Sequence, residues 1–351
     1  MKVETLLPLG KVDPGLRKPR LDYDLKCISE EASLVESLGY DGLMFEETKQ
    51  DPFIACALAA AATNYLKIGT AIALAFPRSP AVTALTSWNI QHLSSGRFVL
   101  GLGTQVKGHI ERRYGQKWNK PGPWMREYVL ALREIWASWQ EGRQPSAVGD
   151  IYKITMTNPL FNPGPIEHPF IPIHLAAVNP YMSMVAGEVA EGVRPHPVCT
   201  PRYIKEVMWP EIRRGLDKSC RGNSHFCVAI KPLIATGADK LELDKNKEDV
   251  RARIAFYGAT WAYRKTFEFN GLGKIAEKLR FLSKKNDWEK MPSLIDDDIL
   301  NEYACVGLHE DIVSVLKDKY NGIVTNVEFS IPISEKNPEG IRRMVRALNS
   351  S

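Results

Sequence analysis

Residues 97–111 read RFVLGLGTQVKGHIE: an apolar strand runs straight into Gly101-Leu102-Gly103. A strand followed by G-x-G is compatible with a phosphate-binding turn, a plain turn, or the floor of a pocket for something flat. A dinucleotide fingerprint needs G-x-G-x-x-G directly after the first strand. Here the pair arrives on the fourth apolar segment, and Val106 stands where the third glycine belongs. The first segment ends in LLPLGK (6–11), with one glycine. A doubly wound nucleotide fold therefore lacks its defining feature, and the surrounding pattern has to decide.

That pattern alternates short apolar runs with amphipathic stretches. Strands are expected at 3–7, 42–45, 66–73, 97–102, 171–178, 192–194, 225–236 and 324–331. Helical spacing fills most of the gaps, at 23–38, 52–63, 81–93, 124–140, 180–189 and 201–216, and a closing helix covers 338–348. Asp51 before Pro52 reads as a helix cap with proline in the first turn. Eight strands, nearly all followed by helices, predict an α/β fold of the (β/α)8 TIM barrel type. One domain over 1–351 is expected, with insertions near 104–123, 142–170 and 237–300. The last of these carries helical pattern of its own, at 247–264 and 274–284.

Bulk properties narrow the function. The 351 residues carry a formal net charge of +5, and Lys and Arg are scattered rather than clustered, which argues against nucleic acid as a partner. No apolar run reaches membrane-spanning length. The N-terminal residues lack the apolar core and small-residue cleavage site of a signal peptide. The six cysteines form no C-x-x-C pair and read as reduced thiols of a cytoplasmic protein. No two histidines sit at i, i+4, so no metal is assigned. Trp88, Trp124, Trp136 and Trp139 lie at helical spacing among apolar neighbours and are expected in the core.

In a barrel the active site forms at the C-terminal ends of the strands. Strand two ends in Glu46-Glu47-Thr48, strand three in Thr70-Ala71-Ile72-Ala73, and strand four in Gly101-Leu102-Gly103-Thr104. Strand five ends in Ala176-Ala177-Val178-Asn179, and strand six leads to His196. Most of these ends are small and uncharged, which leaves room for a planar, mostly apolar ring. Gly101 and Gly103 would let a ligand approach the backbone closely, or would merely relieve crowding inside the barrel. Asn179 reads as a cap with Pro180 at the first helical position. The free N–H groups of Tyr181 and Met182 would then suit a phosphate, although an ordinary capped helix has the same sequence.

These residues resemble a known family. ESLGYDGLMFEETKQDPF (36–53), LKIGTAIALAFPRSPAVTA (66–84), LSSGRFVLGLGTQVKGHIERRYG (93–115), MREYVLALREIW (125–136) and IPIHLAAVNPYMSMVAGEVAEGV (171–193) are similar to the luciferase-like monooxygenase superfamily. They are most similar to its coenzyme F420-dependent oxidoreductase branch. The resemblance implies a bacterial luciferase-like barrel, a cofactor lying across its mouth (F420, or alternatively FMN), a small-molecule substrate, and a homodimer. It implies a non-prolyl cis peptide at Ala71–Ile72 behind the ring, with Ala73 beyond it. Gly101, Gly103 and Thr104 would border the ring. Ala176, Ala177, Val178, Asn179, Tyr181 and Met182 would surround the phosphate region, and Arg194 and His196 would lie near the mouth.

One departure bears on chemistry. Some F420-dependent relatives place an acid shortly after the strand-four glycines, where this chain has Gln105-Val106-Lys107. The proton relay that hydride transfer needs then falls to His109, Glu47, Glu46 or His196. Each has a plainer alternative: His109 as an exposed loop residue, the glutamates as ion-pair partners of Lys49, Arg112 or Arg113, and His196 as a loop-shaping residue between prolines. Lys107, Arg112 and Arg113 would meet a cofactor's acidic tail or form a solvated face. The leading expectation is hydride transfer between F420 and a small organic substrate. The alternatives are an FMN-dependent monooxygenase activating oxygen and a non-catalytic flavin-binding barrel.

Overall fold

The computed structural model describes residues 1–9, 23–222, 225–331 and 338–350. Eight strands form a parallel ring: β1 (Lys2–Leu6), β2 (Gly42–Phe45), β3 (Lys67–Thr70), β4 (Phe98–Gly103), β5 (Ile173–Ala177), β6 (Gly192–Pro195), β7 (Cys227–Ile230) and β8 (Asn326–Glu328). Each pairs with its successor, β3 joining β4 through Ile68 and Phe98. The ring closes where Lys2 of β1 faces Asn326 of β8. The (β/α)8 barrel is thus the observed fold, and even the short sixth strand is in place.

Local chemistry starts and stops the helices. Asp51 accepts a hydrogen bond from Phe53 N at 2.8 Å and begins the helix Pro52–Ala62. Ser79 does the same for Pro80–Leu93, accepting from Val82 N at 3.3 Å. In both, proline fills the first turn, where its missing N–H costs nothing. The long helix Pro121–Glu141 ends at Gly142, whose φ of 67° lies in the left-handed region that favours glycine. The helices bury their apolar faces on the outside of the ring, and Trp88, Trp124, Trp136 and Trp139 all lie in that layer.

Two expected strands are corrected. The run 225–236 is two strands, because Pro232 removes a ladder donor between them. Cys227–Ile230 stays in the barrel, whereas Leu233–Gly237 leaves it and pairs in parallel with Ala304–Leu308. The third insertion is accordingly wider than 237–300. It has a core of its own that includes Leu233, Ile254, Phe267, Leu279, Met291 and Tyr303. The run 66–73 also divides. After Thr70 comes the cis peptide Ala71–Ile72, and Ala73–Leu74 then pairs with Leu102 and Gly103 of β4. All six cysteines are free thiols, with Cys56, Cys199 and Cys305 buried and Cys220 exposed.

Candidate active site

Successive strand residues point to opposite faces, and contacts across the ring identify the inward set. Glu4 of β1 accepts from Arg194 Nη1 of β6 at 2.8 Å and from Asn326 Nδ2 of β8 at 2.7 Å. Arg194 Nη2 also reaches Met44 Sδ of β2 at 3.2 Å. Only the barrel interior joins those four strands. Burial works against the Arg194 charge, but Glu4 and Glu328 offset it and keep its pKa above the ordinary arginine value. Beneath them His174 is buried, and its pKa is pushed well below the usual range by burial first and by Arg194 and Lys67 next.

Following the same alternation up to the mouth divides it into two halves. From β3, β4 and β5 come Gly69, Ala71, Gly101, Gly103, Ala176 and Val178, all small and apolar. From β6, β7, β8, β1 and β2 come Arg194, Lys231, Glu328, Glu4 and Glu46. The expectation of neutral strand ends therefore holds for half of the rim only. Glu328 closes β8 and Lys231 directly follows β7, and Lys231 Nζ stands 2.5 Å from Glu46 Oε1 and 3.8 Å from Glu328 Oε1.

On the apolar half, the two glycines of the opening stretch make room for the bulge after β3. A Cβ on Gly101 would come within 1.9 Å of the Thr70 carbonyl oxygen. A Cβ on Gly103 would come within 2.4 Å of Ile72 Cδ1. So the space before them is filled from within, and the side chain that walls this part of the mouth is Ile72, partly exposed. Thr104 follows, its hydroxyl donating to the Gln105 carbonyl at 3.0 Å. Glu47 secures the bulge from the other side. Its carboxylate accepts from Leu74 N at 2.7 Å and pairs with Arg78 Nη1 at 2.7 Å. The expected partners of the two glutamates were Lys49, Arg112 or Arg113; the structure gives Arg78 to Glu47 and Lys231 to Glu46.

The turn after β5 leads Ala176, Ala177 and Val178 into the helix Pro180–Val189. Asn179 occupies the cap position with extended backbone, but its side chain makes no capping bond. Ser183 N already turns to the Asn179 carbonyl at 3.1 Å. The first turn leaves the N–H groups of Tyr181 and Met182 without intrahelical acceptors. Tyr181 is half exposed, and its ring lies so close to Gly122 that a Cβ there would fall within 2.2 Å of it.

The histidines separate clearly. His109 is exposed on the six-residue helix Lys107–Arg112, and the basic residues beside it are exposed too. His196 sits just past β6, half-buried, with Val198 N donating to its Nδ1 at 3.3 Å. Two tyrosines of the third insertion hold its ring: Tyr263 stacked at 4.1 Å and Tyr257 edge-on at 4.7 Å. Sequence reasoning missed Lys231, Glu328 and these tyrosines. A surface hollow of about 330 Å³ near Arg143, Thr157 and Asn162 involves no strand end.

With that geometry in view, the relatives fall into place. An uncharacterised Mycobacterium tuberculosis protein is 41% identical over 317 residues, covering 89% of this chain and 93% of its own. The 5,10-methylenetetrahydromethanopterin reductase of Archaeoglobus fulgidus is 26% identical, with 94% of each chain covered. The solved structure of the coenzyme F420-dependent tetrahydromethanopterin reductase of Methanopyrus kandleri superposes with a TM-score of 0.76 at 20% identity, covering 99% of this chain and 98% of that one. The sequence profile of the luciferase-like monooxygenase family matches residues 5–326, and the chain belongs to that family.

Proposed function

We propose that this chain is a coenzyme F420-dependent oxidoreductase that moves a hydride between the deazaflavin and a small organic substrate. The observation that carries the reading is the divided mouth: a wall of Ile72 backed by Gly101 and Gly103 opposite a charged half centred on Lys231 and Glu46. A planar tricyclic ring needs an apolar face to lie on and polar groups at its reacting edge, and both are present. Ile72, Ala176 and Val178 would hold the ring. The first turn at Tyr181 and Met182 would take the phosphate through its open N–H groups. When bound, the deazaflavin supplies the hydride donor or acceptor. The chain's own part is to position the substrate, exclude water and manage one proton. The same reading takes the chain as one barrel domain over 1–351, acting in the cytoplasm as a homodimer. Support also comes from the reductases named above, whose lengths this chain matches almost completely.

An FMN-dependent monooxygenase is the second reading. It is favoured by the absence of an acid at 105–107 and by Gln105, whose Oε1 turns back to accept from Val106 N at 3.0 Å. Titrating the purified protein with F420 and with FMN, followed by absorbance and fluorescence, separates the two. The proposal expects F420 to bind more tightly by about tenfold or more, about 1.4 kcal/mol. Retention of FMN with oxygen uptake, and no saturable F420 binding, overturns it.

A further inference from the structure

Lys231 follows the last residue of β7 and precedes Pro232, where the chain leaves the barrel. Cys227 and Ala229 face inward, and the alternation carries Lys231 inward at the rim. Its ammonium reaches Glu46 Oε1 at 2.5 Å, across the ends of β8 and β1, and Glu328 Oε1 at 3.8 Å on the neighbouring strand. The Lys231 and Glu46 side chains are each 21% exposed, sheltered yet reachable from the mouth. Deeper in, Arg194 is committed to Glu4. Among the described residues the interior thus carries Glu4, Glu46, Glu328, Arg194 and Lys231, with Lys231 at the rim.

We propose that Lys231 is the proton-transferring catalytic residue of the mouth, oriented by Glu46 and Glu328, and that the substrate is a small carbonyl compound or the matching alcohol. The inference rests on the F420 reading above. An acceptor that takes a hydride alone, such as an iminium, ends neutral and needs no proton donor. A carbonyl ends as an alkoxide and does. As the carbonyl carbon gains its hydride, the C=O π pair moves to oxygen. That oxygen takes a proton from Lys231 Nζ, which keeps the N–H bonding pair as its lone pair. The carbonyl is reduced by two electrons, and the reduced deazaflavin, the co-reactant, is oxidised by giving up the same two with the hydride. Solvent then reprotonates the amine.

The test uses the full chain with reduced F420 and three carbonyl probes: cyclohexanone, 2-butanone and benzaldehyde. Wild type, Lys231→Met and Lys231→Arg are compared for F420 affinity and for kcat across pH. Among the described residues, the titratable and charged groups around Lys231 are Glu46 after β2, Glu328 on β8, Cys227 on β7, His196 past β6 and the Glu4–Arg194 pair, and all of them are unchanged in both variants. The expected result is that wild type reduces at least one probe. Both variants should bind F420 about as well as wild type yet lose about a hundredfold or more in kcat, with the basic limb of the pH profile gone. Arginine keeps the charge but does not release a proton in the working range, so it should not rescue. Where the methionine variant fails to fold, the arginine variant decides. Rescue by arginine, wild-type turnover in Lys231→Met, a parallel loss of F420 affinity in both variants, or a wild type that binds F420 but reduces no probe overturns this inference alone. A wild type that binds no F420 overturns the cofactor reading and this inference with it.

Discussion

Arg78 Nη1 lies 2.9 and 2.7 Å from the two carboxylate oxygens of Glu47, and its Nη2 lies 2.9 Å from Asp51 Oδ2. The end of β2 is thereby clamped to the segment that follows the Ala71–Ile72 peptide, because the same Glu47 carboxylate also takes the Leu74 N–H. Both side chains are sheltered, at 19% and 11% exposure, so the permanent charge on Arg78 is balanced by its carboxylate partners more than by water.

Glu47→Gln should therefore act on stability first. It weakens a charge-assisted bond and leaves a sheltered guanidinium short of an acceptor, a cost of about 1–3 kcal/mol. The urea midpoint should fall with little change in slope. The pH profile of turnover should keep its shape. A variant as stable as wild type with a displaced profile would make Glu47 a proton relay instead of a clamp.

The two glycines of β4 predict unequal effects. Gly101→Ala would press a methyl on the Thr70 carbonyl oxygen, 1.9 Å away and fixed in the sheet. Gly103→Ala meets the tip of Ile72 at 2.4 Å, and a side-chain tip can rotate aside. Overpacking of the second kind costs about 1–3 kcal/mol; the first should cost more and reduce the yield of folded protein. Ile72→Ala should recover much of the loss in Gly103→Ala and none in Gly101→Ala. A double-mutant cycle on unfolding free energies checks this, and equal recovery in both backgrounds would mean that Ile72 is not what the glycines accommodate.

Much of the barrel was legible because its outer face is apolar and helix-covered. The strands read as short hydrophobic runs, and the cap at Asp51 announced its helix; the cap at Ser79 emerged only in the structure. The interior was hard to see for the same reason. In KVETL, GVRP and NVE the valines Val3, Val193 and Val327 face the helices, so their neighbours Glu4, Arg194 and Glu328 point inward. A charged residue between apolar ones reads as solvent-facing in an open sheet but as interior in a closed one. Arg194 and Glu4 are 190 positions apart, which no local pattern reveals. Lys231 was hidden inside one continuous apolar run, and Pro232 was the available signal that the barrel strand stops there.

The histidines give a third prediction. His109 is exposed on a short helix, whereas His196 is stacked on Tyr263 at 4.1 Å. His109→Ala should leave F420 affinity and turnover within about twofold, as surface changes usually do. His196→Ala should loosen the insertion over the mouth, losing about 0.5–1.5 kcal/mol of ring contact and raising KM more than it lowers kcat. Steady-state kinetics on both variants decides, and a large loss in His109→Ala alone would reverse the assignment.

The buried histidine predicts how stability follows pH. His174 lies inside the barrel with Arg194 and Lys67 nearby, and burial together with those cations keeps its pKa far below that of an exposed imidazole. Above the unfolded-state value of about 6.5, the ring is neutral in both states and contributes no pH dependence. Below it, the unfolded chain takes up a proton that the folded chain refuses, so unfolding is favoured increasingly as pH falls. The slope approaches about 1.4 kcal/mol per pH unit for this one group until the folded value is reached. His174→Asn removes the group and should flatten the fall in unfolding free energy between about pH 6.5 and 5, although the variant starts from a lower stability because its smaller side chain packs less well. Urea titrations of both proteins at several pH values measure the two slopes. Parallel slopes would mean that His174 takes up its proton in the folded chain as well, and that the cations around it leave room for a third.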